Sequence, residues 1–347
     1  MTKLRFDLEF EDLYARDGLA RVDSAFLRFL GEADGHLRER LLAARGAPEA
    51  LAPKQESDLL IELAPHLEDF LARLFAIERE AQALAAKHDE LAPLYSVKRM
   101  FVQRRAVSKT KPDELAGFDG SAAERQLEPL LGGKFSELAF ATSVTSWLED
   151  ETAHAAQLAL AQRYAAWAAT TAEGRARHKA GVLFKLPLKL DMQRLVPLET
   201  STEEGFERHT IGGHHLRRRE GFALTDAGTD LVGALDQTNY CIWCHEQGKD
   251  SCSKGLKEKA PAEEFKKSVF GVPLAGCPLE EKISEFQQLK SRGQTLAALA
   301  VICVDNPMCA ATGHRICNDC MKSCVFQKQE PVNIPQAETR TLKDVLE

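Results

Sequence analysis

The sequence predicts an all-α protein built as an N-terminal helical domain (1–185), a connector (186–235) and a second helical domain (236–347). Three observations carry that expectation. Apolar residues recur every three or four positions over long stretches, the spacing of a helix with one buried face. Breakers gather between 186 and 235, where Pro187, Pro197, Gly205, Gly212 and Gly213 interrupt any period. All nine cysteines fall after residue 240, which marks the end of the chain as a separate chemical unit.

The first stripe runs Leu19, Val22, Phe26, Leu30, Ala33, Leu37 and Leu41, and predicts one amphipathic helix. A second, Leu60, Leu63, Leu67, Leu71, Leu74, Ile77, Ala81 and Leu84, begins after Ser57 with Pro65 as a kink in its first turns, and is expected to pair antiparallel with the first. Ser121 followed by Glu124 reads as a capping box after the breaker-rich loop 111–121. An alanine-rich helical region follows from Phe135 to about Ala172. The block 95–111 holds six basic residues and no acid, and Arg217, Arg218 and Arg219 form another basic spot. Both read as solvated surface, with docking to an acidic partner as the alternative.

A chain of 347 residues with 44% hydrophobic and 28% charged residues has the apolar content to fold as a globular protein. Its 45 basic and 52 acidic side chains give a net charge of −7, the wrong sign for nucleic acid or an anionic membrane. The charged start, MTKLRFDLEFEDLYARDG, has none of the apolar core of a signal peptide. The chain is therefore expected in a reducing cytoplasm with its cysteines as thiols. The longest apolar run, Leu296 to Val304, is about half of what a membrane span needs.

Cys241-Ile-Trp-Cys244-His245 leads to Cys252 and, later, to Gly276-Cys277-Pro278. Two cysteines with two residues between them turn both sulfurs toward one centre, and that spacing alone admits zinc, covalent haem or an iron–sulfur cluster. The C-x-x-C-H string is the haem attachment pattern, yet such haem needs export and leaves seven cysteines without a role. Zinc fits the pairs Cys241/Cys244 and Cys317/Cys320, with Cys252, Cys277 and Cys324 as spectators.

The second group reads Asn306-Pro307-Met308-Cys309, Thr312-Gly313, then Cys317-x-x-Cys320-x-x-x-Cys324, closed by Pro331-Val332-Asn333-Ile334-Pro335-Gln336-Ala337-Glu338. Together with Cys277-Pro278 and the helical stretch after it, this order resembles the N-terminal domain of the glutamate synthase small subunit and dihydropyrimidine dehydrogenase, over about 236–345. The resemblance implies a helical domain with two 4Fe–4S clusters. It implies one cluster on Cys277, Cys317, Cys320 and Cys324, and another on Cys241, Cys244 and Cys252 with Glu338 as fourth ligand. Cys309 and Cys303 are the thiolate alternatives to Glu338, although Cys303, in the apolar stretch 296–304, reads as a buried structural cysteine. The sequence departs from the relatives in its first group: seven residues separate Cys244 from Cys252, and a lysine-bearing insertion of 24 separates Cys252 from Cys277. The second group is tighter than theirs, with two residues between Cys317 and Cys320.

His245 and His314, beside ligands, read as hydrogen-bond donors to sulfur or as exposed side chains, and His214 and His215 have no nameable partner. Trp243 and Phe326 are placed to shield a cluster or simply to pack. No Gly-rich phosphate loop, nucleophile or general base is visible. The chain thus reads as the electron-transfer part of an oxidoreductase without a complete active site of its own. FAD and NAD(P) are expected on a flavoprotein partner or on a domain beyond Glu347. The rival is a zinc-stabilised scaffold without redox chemistry.

Overall fold

The protein was analysed as a computed structural model that describes residues 4–347 except 197, 214, 215, 217, 218, 225, 260–263 and 315, and not the side chain of 112. The basic pair Arg217 and Arg218 and the histidines His214 and His215 lie outside the described residues. The fold is predominantly helical, with one small two-stranded sheet.

Helices α1 (Arg16–Ala33), α2 (Gly35–Gly46) and α3 (Pro53–Leu74) form the first layer, closed by a small core of Leu8, Ala25, Phe70 and Leu74. Phe70 is its centre: Phe6 stacks on it at 4.9 Å and Phe26 meets it edge-on at 5.4 Å. The apolar stripe expected as one helix is two. Asp34 leaves helical geometry at φ −150°, and its carboxylate accepts the Leu37 N–H at 2.9 Å, so it caps a new helix with the phase of the stripe kept. α3 starts four residues before Ser57 and runs through Pro65, whose ring is exposed.

α4 (Glu78–Val97) continues without a break into a π-helical segment, Lys98–Val107. Five further helical segments complete the second core: the π-segment itself, α5 (Gly120–Leu130), α6 (Glu137–Glu149), α7 (Ala155–Thr170) and α8 (Ala172–Arg177). Phe140, Tyr164, Trp167 and Phe184 are buried at its centre. The alanine-rich stretch is broken at 150–154, where the Asp150 carboxylate accepts the N–H groups of Thr152 and Ala153 at 3.1 and 2.9 Å. The expected capping box is absent as well. Asp119 caps α5 by accepting from Ala122 N at 2.8 Å, while Glu124 accepts the Tyr164 hydroxyl at 2.7 Å and pairs with Arg177.

The connector holds what a helical reading leaves out, an antiparallel hairpin of β1 (Leu198–Glu203) and β2 (Phe206–Ile211). Its two turn residues, Glu204 and Gly205, have φ of 53° and 86°, the twist that suits a two-residue hairpin. Every strand residue is exposed.

The third core belongs to α9 (Leu231–Tyr240), α10 (Ser251–Lys254), α11 (Ile283–Ser291), α12 (Thr295–Asp305), α13 (Cys309–Thr312), α14 (Asp319–Lys322) and α15 (Ile334–Leu346). α11 and α12 pack on α15 and also on α3, so the first layer leans on the cysteine unit. The block 95–111 is only partly solvated. Phe101, Val102 and Ala106 are buried, and Lys98 bonds Asp236 of α9 at 2.6 Å with both side chains 12% exposed or less.

Removing one partner of a buried pair strands the other charge. Lys98→Met should cost about 3 kcal/mol in urea unfolding, and Asp236→Asn added to it should recover part of that. A loss below about 1 kcal/mol would show that α9 is not tied here. His88, whose Nδ1 lies 3.1 Å from the Lys290 carbonyl, is pushed down to about 4 by burial and by the Lys290 charge. A base with a folded value below its unfolded 6.5 contributes stability that is present above 6.5 and lost as pH falls toward 4. His88→Gln should therefore flatten the acid limb of the stability–pH curve between about 6.5 and 4, measured by denaturant midpoints at each pH.

Candidate metal centre

Seven of the cysteines converge as two nests at the junction of α9, α10, α11 and α14. Cys241 caps the end of α9, and the next turn reverses sharply because Trp243 adopts φ 51°. The Trp243 N–H then points back at Cys241 Sγ, 3.5 Å away. Cys244 opens a tight turn that ends at Gly248, and Asp250 caps α10, which carries the buried Cys252. α10 packs on α14, and the chain leaving α14 brings Cys324 to the cavity that Cys252 lines. Cys241, Cys244, Cys252 and Cys324 line one small cavity, sealed by Ile242, Ile283, Phe326, Val332 and Ile334.

Cys277, Cys317, Cys320 and Glu338 make a second, looser group, in which the charges of Cys277, Cys317 and Glu338 act on the buried Cys320 thiol. Glu338, on the first turns of α15, is 6% exposed and accepts from Asn306 Nδ2 at 2.9 Å. Thr312 bonds the same Asn306 side chain, so the Asn-Pro and Thr-Gly elements serve to aim this carboxylate. Cys309 is buried beside it, within electrostatic reach of Cys303 and Glu338.

This placement differs from the expected partition at Cys324, which lines the cavity of Cys241, Cys244 and Cys252, while Glu338 acts through its charge on Cys320. The reason is local: Cys320 lies inside the single turn of α14, whereas Cys324 lies beyond its end, where Cys324 N bonds Met321 O and Ser323 Oγ accepts the Gly276 N–H. The chain has turned between them, so that Cys324 but not Cys320 lines the cavity of Cys241, Cys244 and Cys252. Cys303, expected as a buried structural cysteine or as an alternative to Glu338, is half-buried near Cys309.

Burial pushes the Cys241 thiol up to about 12 and Cys244 up to about 11. The neighbouring Cys324 sulfur and burial push the Cys252 thiol up, and Cys252 in turn lowers Cys324. Burial, with Glu281 nearby, pushes Glu338 up to about 8, and burial with Glu285 pushes Asp250 up to about 7. Thiols in such places resist ionisation until a cation offsets their charge. The donor sets fit that role: four soft thiols line one cavity, and three thiols and a carboxyl lie within electrostatic reach in the second group, with N–H groups of Phe326 and Val332 on Cys324 and of Leu279 and Glu281 on Cys277. Among the described residues, no three or more His, Cys, Asp or Glu side chains are placed closely enough to hold a metal ion as they stand.

A family model described as the RP005 N-terminal alpha-helical domain matches residues 4–76. The uncharacterized protein RP005 of Rickettsia prowazekii (strain Madrid E) is 32% identical over 303 residues, which cover 84% of this chain and 99% of that protein. The chain belongs to the RP005 family. The matched 4–76 coincides with the α1–α3 layer and ends at Ala76, where φ of 57° starts the turn into α4. A second protein of the same organism, the uncharacterized protein RP006, is 64% identical over 39 residues, 11% of this chain and 6% of that protein. No solved structure matches.

In this RP005-family chain the histidines beside the cysteines take other work. His245 is buried with Nδ1 2.6 Å from Ser284 Oγ, and His314 lies in reach of Asp226 at 4.0 Å. Trp243 Nε1 donates to Thr238 O at 3.3 Å, and Phe326 stacks on Tyr240. Sequence reading missed Asp250 and Glu281, and it held Asn306 only as part of an Asn-Pro near a cysteine, without its hold on Glu338. Cys317 is the exposed member of the two nests. In metal-stripped protein under anaerobic conditions, Cys317 should therefore be alkylated by iodoacetamide well before the four cavity cysteines, read by peptide mass spectrometry. Equal labelling of Cys317 and Cys324 would contradict the buried arrangement.

Proposed function

We propose that residues 236–345 hold two 4Fe–4S clusters, and that this chain passes single electrons between them and a flavin- and NAD(P)H-bearing partner or domain. The supporting observation is the gathering of four thiols from three separate segments around one cavity with apolar walls. A bound cluster takes up or gives off one electron at a time.

The residues of this chain would do the rest. Cys241, Cys244, Cys252 and Cys324 would hold one cluster; Cys277, Cys317, Cys320 and Glu338 the other, with Cys309 as the thiolate alternative to Glu338. Ile283, Val332, Ile334 and Phe326 exclude water, and the N–H groups directed at sulfur stabilise added negative charge, the two levers that set a potential. The Cys277 N–H donates to Cys252 O at 2.8 Å, so the two nests share a backbone contact. The proposed place of work is the cytoplasm, in keeping with nine free cysteines. Among the described residues no helix is long and apolar enough to cross a membrane.

Anaerobically prepared protein should contain about eight iron and eight sulfide per chain and absorb broadly near roughly 400 nm. Stoichiometric zinc without acid-labile sulfide would overturn the proposal in favour of the scaffold. Cys324→Ser and Cys252→Ser should each remove the same cluster, and Cys320→Ser the other, distinguished by their electron paramagnetic resonance signals. Glu338→Ala should make the second cluster labile and Glu338→Cys should keep it, because a carboxylate is the harder, weaker ligand for iron.

A further inference from the structure

A cleft of about 580 Å³ opens where the π-helical segment 98–107 faces the cysteine unit, and it shares Phe326 and Ile242 with the walls of the first nest. That size is within the usual range for a small-molecule site. One wall is cationic: Lys98, Arg99, Arg104 and Lys185 line it, against Asp236 and Glu330. Lys98 is committed to Asp236, but among the described residues no carboxylate lies within ion-pair distance of Arg99, Arg104 or Lys185. Three unneutralised cations at one concavity run against the chain's net charge of −7.

The opposite wall is aromatic. Tyr240 and Phe326 stack with centroids 4.6 Å apart and planes 11° from parallel. The Tyr240 hydroxyl is spoken for, donating to Glu330 O at 3.0 Å and accepting from Gln329 Nε2 at 2.5 Å, so this wall offers ring surface. Gln103 and Asn239 add amide groups at the rim. Guanidinium forks match phosphate oxygens, and ring faces match a planar heterocycle. An acidic protein segment would use the first wall and leave the second uncovered.

We propose that this cleft binds a nucleotide, with its phosphates against Arg99, Arg104 and Lys185 and its base or ring against the Tyr240–Phe326 pair. The site needs no Gly-rich loop, because side chains supply the charge that such a loop supplies through N–H groups. It also needs no metal, so it stands or falls apart from the cluster proposal.

The test is calorimetric titration of the full chain, purified anaerobically, with ADP and with FMN, which share phosphate and differ in ring. Adenosine, riboflavin and pyrophosphate serve as the separated halves. ADP or FMN should bind at least about tenfold more tightly than its own ring half or pyrophosphate, a gain of about 1.4 kcal/mol. The variant Arg99→Glu/Arg104→Glu should weaken that binding at least about tenfold with an unchanged melting temperature and unchanged iron content. Absence of binding by both nucleotides, pyrophosphate binding as tightly as either, or indifference to the double variant would each overturn the proposal. Nucleotide binding by a chain free of iron would leave it standing while removing the electron-transfer reading.

Discussion

The cysteine unit hangs on one backbone crossing. Cys277 N–H bonds Cys252 O at 2.8 Å, and beside it Gly276 passes over the end of α10 so closely that a Cβ there would stand 2.5 Å from Ser253 O and Gly255 N. Gly276 and Gly255 have φ of 86° and 80°, so both lack of bulk and left-handed geometry are required. From this crossing Cys252 turns into one nest and Cys277 into the other. The Gly276 N–H also fixes Ser323, and with it the bend that separates Cys320 from Cys324. Were the two segments held farther apart, neither set of sulfurs would keep its cavity.

The N-terminal layers brace this arrangement from outside. Ser57 of α3 donates to the buried Glu285 of α11 at 2.5 Å, and Glu68 accepts the Ala297 N–H at the start of α12 at 3.0 Å. Further along, the fully buried Lys290 ammonium is matched by Asp344 of α15, which Arg340 also bonds at 2.5 Å, while His88 of α4 caps the Lys290 carbonyl side. These are polar ties inside apolar packing, where an unpaired partner is costly, so they fix register as well as adding contact. The α1–α3 layer is therefore positioned to hold the helices of the cysteine unit rather than to stand alone.

Periodicity made the helices legible because one buried face leaves its mark every three to four residues. It could not show the break at Asp34 or at Asp150, since a cap can interrupt the backbone while the apolar stripe continues in phase. The hairpin 198–211 was hidden for the opposite reason: strands exposed on both faces carry no apolar alternation, and only the Glu204-Gly205 turn was available as a sign. Spacing and resemblance single out the cysteines as a set, but they do not show how the set divides in space. Which of two neighbouring sulfurs enters which cavity depends on where a one-turn helix stops, and nothing in C-x-x-C-x-x-x-C states that. The cleft was least legible of all, being assembled from 98–104, 185, 240 and 326, with the cations visible as a basic block and their aromatic counterpart far away in sequence.

The π-helical run 98–107 sets the phase in which that basic block is presented. Such a ladder carries an extra residue per turn, so a single-codon deletion within it would let the backbone relax toward the α form. Beyond the run the phase would be largely kept, but inside it the residues would present different faces. Arg104 would be re-aimed at the cleft wall without any change in its own identity, and buried Phe101 and Val102 would shift in the core. The charge of this concavity is thus written in reading length as much as in residue type, and drift in the lineage should tolerate substitutions along the exposed face far better than a change in the number of residues.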